Sequence, residues 1–451
     1  MRRAAFAPLV LALVAACADQ ATLPGPLPPP GGITASAAIS SPAGEITVSA
    51  ARTVAWNEGG WEAGNVPFAE AGGGRVVWQD ASGPLVVRAY DFASGTQTKV
   101  AEVYGDFAYP HTAGRWVVWS DERQMIHLRD QATGAVRDLG PGFTPRVSAE
   151  GRVAYIRFDR PNGVDARNRN VAVYDAATGS TRVLTHYTEG VSGGDEAHEP
   201  TVDGNIVVWT VLPVYPNYTS TIRMMNLATG EERELYRINN LLATRVSVSS
   251  GRIVWAERLP DRSAAVMLYD VSTGARRQIT PSGARPSWDP RISGGLVVWE
   301  DGRNSTSARM PENDIYAFDL ASGREIAVAA GPNHQGWPSV DGDRVVWTEL
   351  ANGRWEIRTA TVQTVSLEAL GRAVDGMLAS GEFRNRGAAE SLRAFIAQAT
   401  RARDAGDVAG QRAALQRLAQ HVRSLGGKQL GSAAAARLAA MADALMRSLG
   451  G

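Results

Sequence analysis

The chain has 451 residues, of which 44% are hydrophobic and 20% charged, and its 46 basic and 46 acidic side chains give a formal net charge of zero. This is a globular composition, long enough for two or three domains. Lys99 and Lys428 are the only lysines, and the many arginines form no basic run, so a nucleic-acid partner is not expected.

The first sixteen residues read as an export signal. Arg2 and Arg3 precede the apolar run AFAPLVLALVAA, too short to span a bilayer as a mature helix and of the right size for a secretory core. The run ends at Val14, Ala15, Ala16 and Cys17. This resembles the bacterial lipobox, in which small residues before a cysteine direct cleavage and the thiol receives lipid. Cys17 is the only cysteine, so it has no disulfide partner in the chain, and thiol catalysis is excluded beyond it. An exported protein held by an amino-terminal lipid in the cell envelope, most simply at the outer membrane, is expected. Residues 17–34, rich in proline and glycine, read as a tether.

Residues 35–363 carry a repeat. Its clearest copy is GGLVVWEDGRNSTSARMPENDIYAFDLASGRE (Gly294 to Glu325). Leu296 to Trp299 reads as a strand buried on both faces, and Ile315 to Phe318 and Glu325 to Ala329 read as two more. DLASG between them has the chemistry of a tight turn. Asp289 to Ser293 supplies a short strand in front. Equivalent aromatic residues stand at Trp78, Trp119, Tyr155, Trp209, Trp255, Trp299 and Trp347, a spacing suited to four-stranded propeller blades. The last copy lacks a fourth strand, and Glu45 to Trp56 is a strand-like segment able to supply it. The expectation is an all-β propeller of seven blades, closed by the amino-terminal strand.

The pattern P-x-[VI]-[SD]-G, then VVW-x-[DE], then DIY-x-[YF]-D-x-x-[TS]-G resembles the TolB-type or WD40-like propeller repeats of bacterial envelope proteins. The resemblance implies a propeller whose faces bind proteins or glycans. Some propeller relatives are polysaccharide lyases. A role in a Tol-Pal-like complex is a further alternative, although the chain lacks the α/β domain that precedes the propeller in TolB.

Residues 364–451 change to a helical period. Leu367, Leu370, Val374 and Leu378 form one apolar stripe behind the N-cap candidate Ser366; Leu392, Phe395, Ile396 and Ala399 form a second. Leu415, Leu418, Val422 and Leu425 mark a third helix, and Leu438, Met441, Leu445 and Leu449 a fourth, following Ser432. A four-helix bundle is expected. GDVAGQRAALQRLAQHV (Gly406 to Val422) followed by GGKQL resembles the FIMAH module of secreted bacterial proteins, which implies an accessory or interaction role.

Strong catalytic signatures are absent: there is no P-loop, Rossmann glycine pattern, HExxH, G-x-S-x-G or CxxC. Acidic residues two positions after the tryptophans (Asp80, Asp121, Glu257, Asp301, Glu349) recur from copy to copy, which indicates a local structural role. The loops before the innermost strands hold the candidate binding mouth: Tyr109, His111, Glu196, His198, Glu199, Trp288, Asp289, His334, Gln335 and Trp337. Trp288 and Trp337 suit stacking on a sugar, and His111, His198 and His334 are candidate ligands for a divalent metal. The reading carried forward is a monomeric, non-catalytic scaffold, without a cofactor, whose partner is an envelope protein or a cell-surface glycan. The alternative is a metal-dependent lyase or hydrolase of an acidic polysaccharide.

Overall fold

Each short apolar run ending in tryptophan forms a strand because sheets cover it on both faces. Val76, Val77, Val207, Val208, Trp209, Val297, Val298, Trp299, Val345, Val346 and Trp347 are all completely buried. The computed structural model describes residues 45–57, 66–81, 84–104, 108–159, 168–187, 195–213, 220–238, 245–259, 264–281, 284–285, 289–306 and 312–449. The export signal, Cys17, the tether and Trp288 lie outside these residues.

Strands β1 (Glu45–Val48) and β2 (Arg52–Asn57) come first. A group of four follows: β3 (Glu70–Gly72), β4 (Arg75–Asp80), β5 (Val86–Asp91) and β6 (Thr96–Glu102). Next are β7 (His111–Ala113), β8 (Trp116–Ser120), β9 (Met125–Asp130) and the long β10 (Val136–Val147). They continue into β11 (Arg152–Asp159), β12 (Asn168–Asp175) and β13 (Ser180–Val183). Two further groups are β14 (Asp195–Asp203), β15 (Ile206–Pro213), β16 (Ser220–Asn226), β17 (Glu232–Ile238) and β18 (Ser247–Ser249), β19 (Arg252–Arg258), β20 (Ala264–Asp270), β21 (Arg276–Gln278). The central copy is β22 (Arg291–Ser293), β23 (Leu296–Asp301), β24 (Asp314–Asp319) and β25 (Arg324–Ala329). The last strands are β26 (His334–Asp341), β27 (Arg344–Ala351) and β28 (Arg354–Val365).

Four groups are separate antiparallel four-stranded sheets, while β7 to β13 form one seven-stranded sheet. The merger arises at β10, which pairs with β9 through its first half and with β11 through its second. The amino terminus completes the last group in two pieces: β1 pairs with Val362 to Val365, and β2 pairs with Trp355 to Thr359. Innermost strands touch in order, β3 to β7, β10, β14, β18, β22 and β26, and β26 touches β3.

The repeated Ser or Asp before glycine makes a hydrogen bond to the following group. Asp203 accepts from Ser250 N (2.6 Å) and Ser293 from Gly342 N (3.0 Å), and Ser249, at the equivalent strand position although followed by Ser250, accepts from Gly294 N (3.0 Å). Asp341 accepts from Gly74 N (2.8 Å), which ties the last group to the first. Between the first two groups the backbones meet more closely. A Cβ on Gly73 would stand 2.0 Å from the Gly114 carbonyl oxygen, so glycine is required there. Turns such as DFASG follow a single scheme, the Asp91 carboxylate accepting from Ala93 N and Ser94 N while Gly95 takes a positive φ.

Four helices follow: α1 (Leu367–Ala379), α2 (Arg386–Asp404), α3 (Val408–Leu425) and α4 (Ser432–Ser448). Ser366, Asn385 and Asp407 cap the first three by accepting from Ala369 N, Ala388 N and Gly410 N. The apolar stripes meet in one core, with Met377 buried on α1 and Leu378 only partly so. Gly431, not Ser432, stands at the cap position of α4. Helices α1 and α4 face the turns at Gly295, Asp319 and Gly342 across a cleft of about 650 Å³. These turns lie at the far end of the sheets from Asp289 and Trp337, so the helices leave the opposite end open.

Pairing of β1 and β2 along β28 covers an edge that would otherwise template association. Deletion of residues 45–57 is expected to cost on the order of 5 kcal/mol, from nine paired positions at about 0.5 kcal/mol or more each. Thermal melting and size-exclusion chromatography check this. Lower stability with self-association is expected, and an unchanged monomeric melt would show the segment to be dispensable.

Candidate functional site

The open end is built by an irregularity repeated in or just before the innermost strands. Phe68, Tyr109, Thr144, Glu199 and Trp337 all have positive φ, between 42° and 48°. Each lies two residues before an innermost-strand position: Glu70, His111, Arg146, Thr201 and Ser339. Four of them precede a proline, which itself disfavours helical geometry at the preceding residue. Such backbone costs about 1–3 kcal/mol per residue and persists only where its surroundings enforce it. Strand bulges coincide with it, between Phe143 and Arg146, His198 and Thr201, and Gly336 and Ser339. A bulge re-aims side chains, here toward the centre where the innermost strands meet.

Six charged residues from five of the strand groups meet there in an alternating chain. Glu70 Oε1 accepts from Arg146 Nη1 (2.7 Å) and Arg291 Nη2 (3.2 Å), and Glu70 Oε2 accepts from Ser339 Oγ (3.1 Å). Arg291 Nη1 donates to Asp289 Oδ1 (2.7 Å), and Asp289 Oδ2 accepts from Arg245 Nη1 (2.8 Å). Arg245 Nε then meets Glu199 Oε2 at 2.8 Å. Glu70 and Arg291 are each 12% exposed, whereas Arg245 and Glu199 keep 32% and 35% of their side chains accessible. The chain therefore runs from a closed interior to an open mouth.

Electrostatics follow the geometry. Burial alone would raise the Glu70 pKa, but Arg146 and Arg291 outweigh it and hold the carboxyl far below its usual range. Asp289 and Glu199 raise the Arg245 pKa, so its charge is fixed. Burial, assisted by Arg146, lowers His111 to about 3, leaving a neutral imidazole. Burial raises the Tyr109 pKa, with Glu199 adding to the rise and Arg245 opposing it, so the phenol stays protonated beside both. Burial also raises Glu300 to about 7.

Of the expected mouth residues, Tyr109, Glu199, Asp289 and Trp337 belong to this end. The Trp337 ring packs edge to face on Phe68 (5.6 Å) and on Trp355 (5.5 Å). Gln335 is buried and takes a backbone bond to Asn313 O. Glu196 lies in β14 opposite Leu212, and its side chain is outside the described set. Glu70, Arg146, Arg245, Arg291 and Glu300 were not among the expected residues. The signal available for two of them was the position after the repeated proline, which holds Arg146 and Arg291.

The three candidate metal histidines do not assemble as ligands. His111 Nδ1 accepts from Val147 N (3.2 Å), and His334 Nδ1 accepts from Asn313 N (3.4 Å). His198 Nε2 faces the Arg169 guanidinium at 3.4 Å. A neutral imidazole that accepts through one nitrogen carries its proton on the other, leaving no lone pair for a metal. Among the described residues, no group of three or more His, Cys, Asp or Glu side chains is placed to hold a metal ion. The recurring acids make local bonds: Asp301 accepts from Trp299 Nε1, Glu349 from Trp347 Nε1, and Asp80 from Arg88.

Residues 367–447 are a FIMAH domain. Among solved structures, the chain is similar to an oligogalacturonate lyase in complex with manganese (15% identity, TM-score 0.44, 66% of this chain and 89% of that one). It is also similar to a puromycin-hydrolysing peptidase of Mycobacterium tuberculosis (15%, 0.46, 63% and 50%) and an acylaminoacyl peptidase of Pyrococcus horikoshii (13%, 0.47, 66% and 52%). The chain thus spans most of the lyase but about half of each peptidase. No curated protein matches it. The expectation of a non-catalytic scaffold finds no support in this comparison, in which the similar structures are a lyase and two peptidases. At these identities and TM-scores the likeness carries no argument about this chain, whose fold and chemistry rest on its own residues.

Replacing Glu70 by Gln leaves Arg146 and Arg291 without their shared anion, a loss expected to cost about 3–5 kcal/mol. The sign of the pH effect follows from the lowered pKa. The contribution of Glu70 is complete above its ordinary value of 4.5 and fades as the pH falls below it. Melting curves of wild type and Glu70→Gln should therefore differ at pH 7 and converge in acid. A constant difference down to pH 2 would contradict the assignment.

Proposed function

We propose that the strand groups close into a seven-bladed propeller, β1 and β2 completing the last blade, and that its open mouth is the active site of a lyase acting on an acidic polysaccharide. Contact between β26 and β3 and the bond from Gly74 to Asp341 support closure. The observation that carries the chemistry is Arg245, a fixed cation held between Asp289 and Glu199 with a third of its side chain accessible at the mouth.

A uronate carboxylate suits this guanidinium, which offers paired donors. Binding there displaces Glu199 from Arg245 and leaves a carboxylate beside the bound sugar. The guanidinium withdraws charge from the sugar carboxylate, which acidifies the hydrogen on the adjacent carbon. Glu199 takes that proton as general base. The electron pair forms a carbon–carbon double bond as the glycosidic carbon–oxygen bond on the next carbon breaks. Tyr109, a phenol protonated at neutral pH, gives its proton to the departing oxygen and later regains one from Glu199 through solvent. Trp337 and Phe68 provide an aromatic wall for the sugar ring. No water is consumed, and the products are a saturated chain and an unsaturated uronate.

The test is a screen of uronate polymers, following the ultraviolet absorbance of the unsaturated product. Arg245→Ala, Glu199→Gln and Tyr109→Phe are each expected to lower the rate on the order of 100-fold or more. All three should melt cooperatively. Turnover by the wild type that survives Arg245→Ala would sink the assignment of this residue, and no binding or turnover of any uronate polymer would sink the reading.

A further inference from the structure

We propose that Glu300 is a positioning residue for the mouth: its carboxylate holds Trp337 in the left-handed turn that presents the indole there, and protonation releases that hold. The inference deepens the reading of the mouth as a ligand site and rests on it only for the use made of the indole.

Glu300 occupies the position directly after the buried tryptophan of its strand. At that position the other groups carry Gln79, Ser120, Ile156, Thr210, Ala256 and Thr348, so the carboxyl is peculiar to one place in the ring. It reaches across to the next group. Glu300 Oε1 accepts from the backbone N of Trp337 at 2.5 Å, and Oε2 accepts from Asn313 Nδ2 at 2.9 Å. Trp337 has φ of 48° and precedes Pro338, so its backbone needs an external hold. The donor is the amide of the strained residue itself. A bond to a carboxylate is about twice as strong as one to a neutral acceptor, so loss of the charge weakens the hold.

Space around the contact is closed. A Cβ on Gly336, just before Trp337, would lie 3.1 Å from His334 Nε2 and 3.4 Å from Glu300 Oε1. The indole is packed on Phe68, Trp355 and His334 at 5.5 to 6.0 Å, so its environment reports on the turn beneath it. The titratable and charged groups facing Glu300 are Asp289 beside β22, Arg245 before β18 and His334 on β26. Asp301, on its own strand, points to the other face and is held by Trp299 and Arg303. Asp314, on β24, is engaged by Asn304. Burial is the main cause that places the Glu300 transition near neutrality, and Asp289 adds to it while Arg245 opposes it.

The test uses the full mature chain labelled with fluorotryptophan and no ligand. Fluorine NMR is recorded across pH, and Trp337→Phe identifies the resonance among the 12 tryptophans. In the wild type, the Trp337 resonance is expected to shift with a midpoint near 7. In Glu300→Gln it should stay at the acid-side position throughout, and in Asp289→Asn the midpoint should move to lower pH. A wild-type resonance indifferent to pH, or one titrating unchanged in Glu300→Gln, would overturn the proposal. Because no sugar is present, failure of the lyase assay and failure here are separate results.

Discussion

Charge pairing between the innermost strands of the sheets is the constraint on which the molecule depends. The innermost strands bring side chains from separate sheets into one enclosed space, where an unpaired charge is strongly disfavoured. The chain from Arg146 through Glu70, Arg291, Asp289 and Arg245 to Glu199 meets that constraint by alternating sign. Every link except that between Arg291 and Asp289 joins residues distant in sequence, so those four pairs tie separate strand groups together. The chain also has a direction. Its inner members are fully engaged, while Arg245 and Glu199 at the outer end remain partly accessible, and reactivity is expected where engagement is least complete.

The architecture was legible because it is periodic. Aromatic residues from Trp78 to Trp347, six tryptophans and Tyr155, mark the second strand of each group, and the DLASG-type turns mark the next hairpin. The Ser or Asp of the P-x-[VI]-[SD]-G pattern has a reason visible only in three dimensions, since Asp203, Ser293 and Asp341 bond to the following group. Even the missing last strand could be read, although not its division into β1 and β2. The helical stripes were equally plain, with Met377 in place of Leu378 as the one change of face on α1.

The site was less legible for the opposite reason: function resides in what differs between copies. Acids two positions after tryptophan attracted notice through recurrence and prove local, as Asp301 and Glu349 show. Glu300, one position earlier, appears once and carries no periodic signal. Histidines drew attention as chemically versatile residues, yet His111 and His334 use a ring nitrogen to accept backbone N–H groups of neighbouring segments. Tyr109 and Trp337 were singled out from their loops, but the positive φ at both could not be read from proline alone. The helical domain packs against the turns at Gly295, Asp319 and Gly342, at the far end of the sheets from Arg245 and Glu199.

The most direct measurement is a crystal structure of the protein with a uronate oligosaccharide. The account predicts a sugar carboxylate on the Arg245 guanidinium, Glu199 displaced from it toward the adjacent carbon, and a sugar ring against Trp337. An oligosaccharide lodged elsewhere, with the Arg245 to Glu199 pair intact, would contradict it.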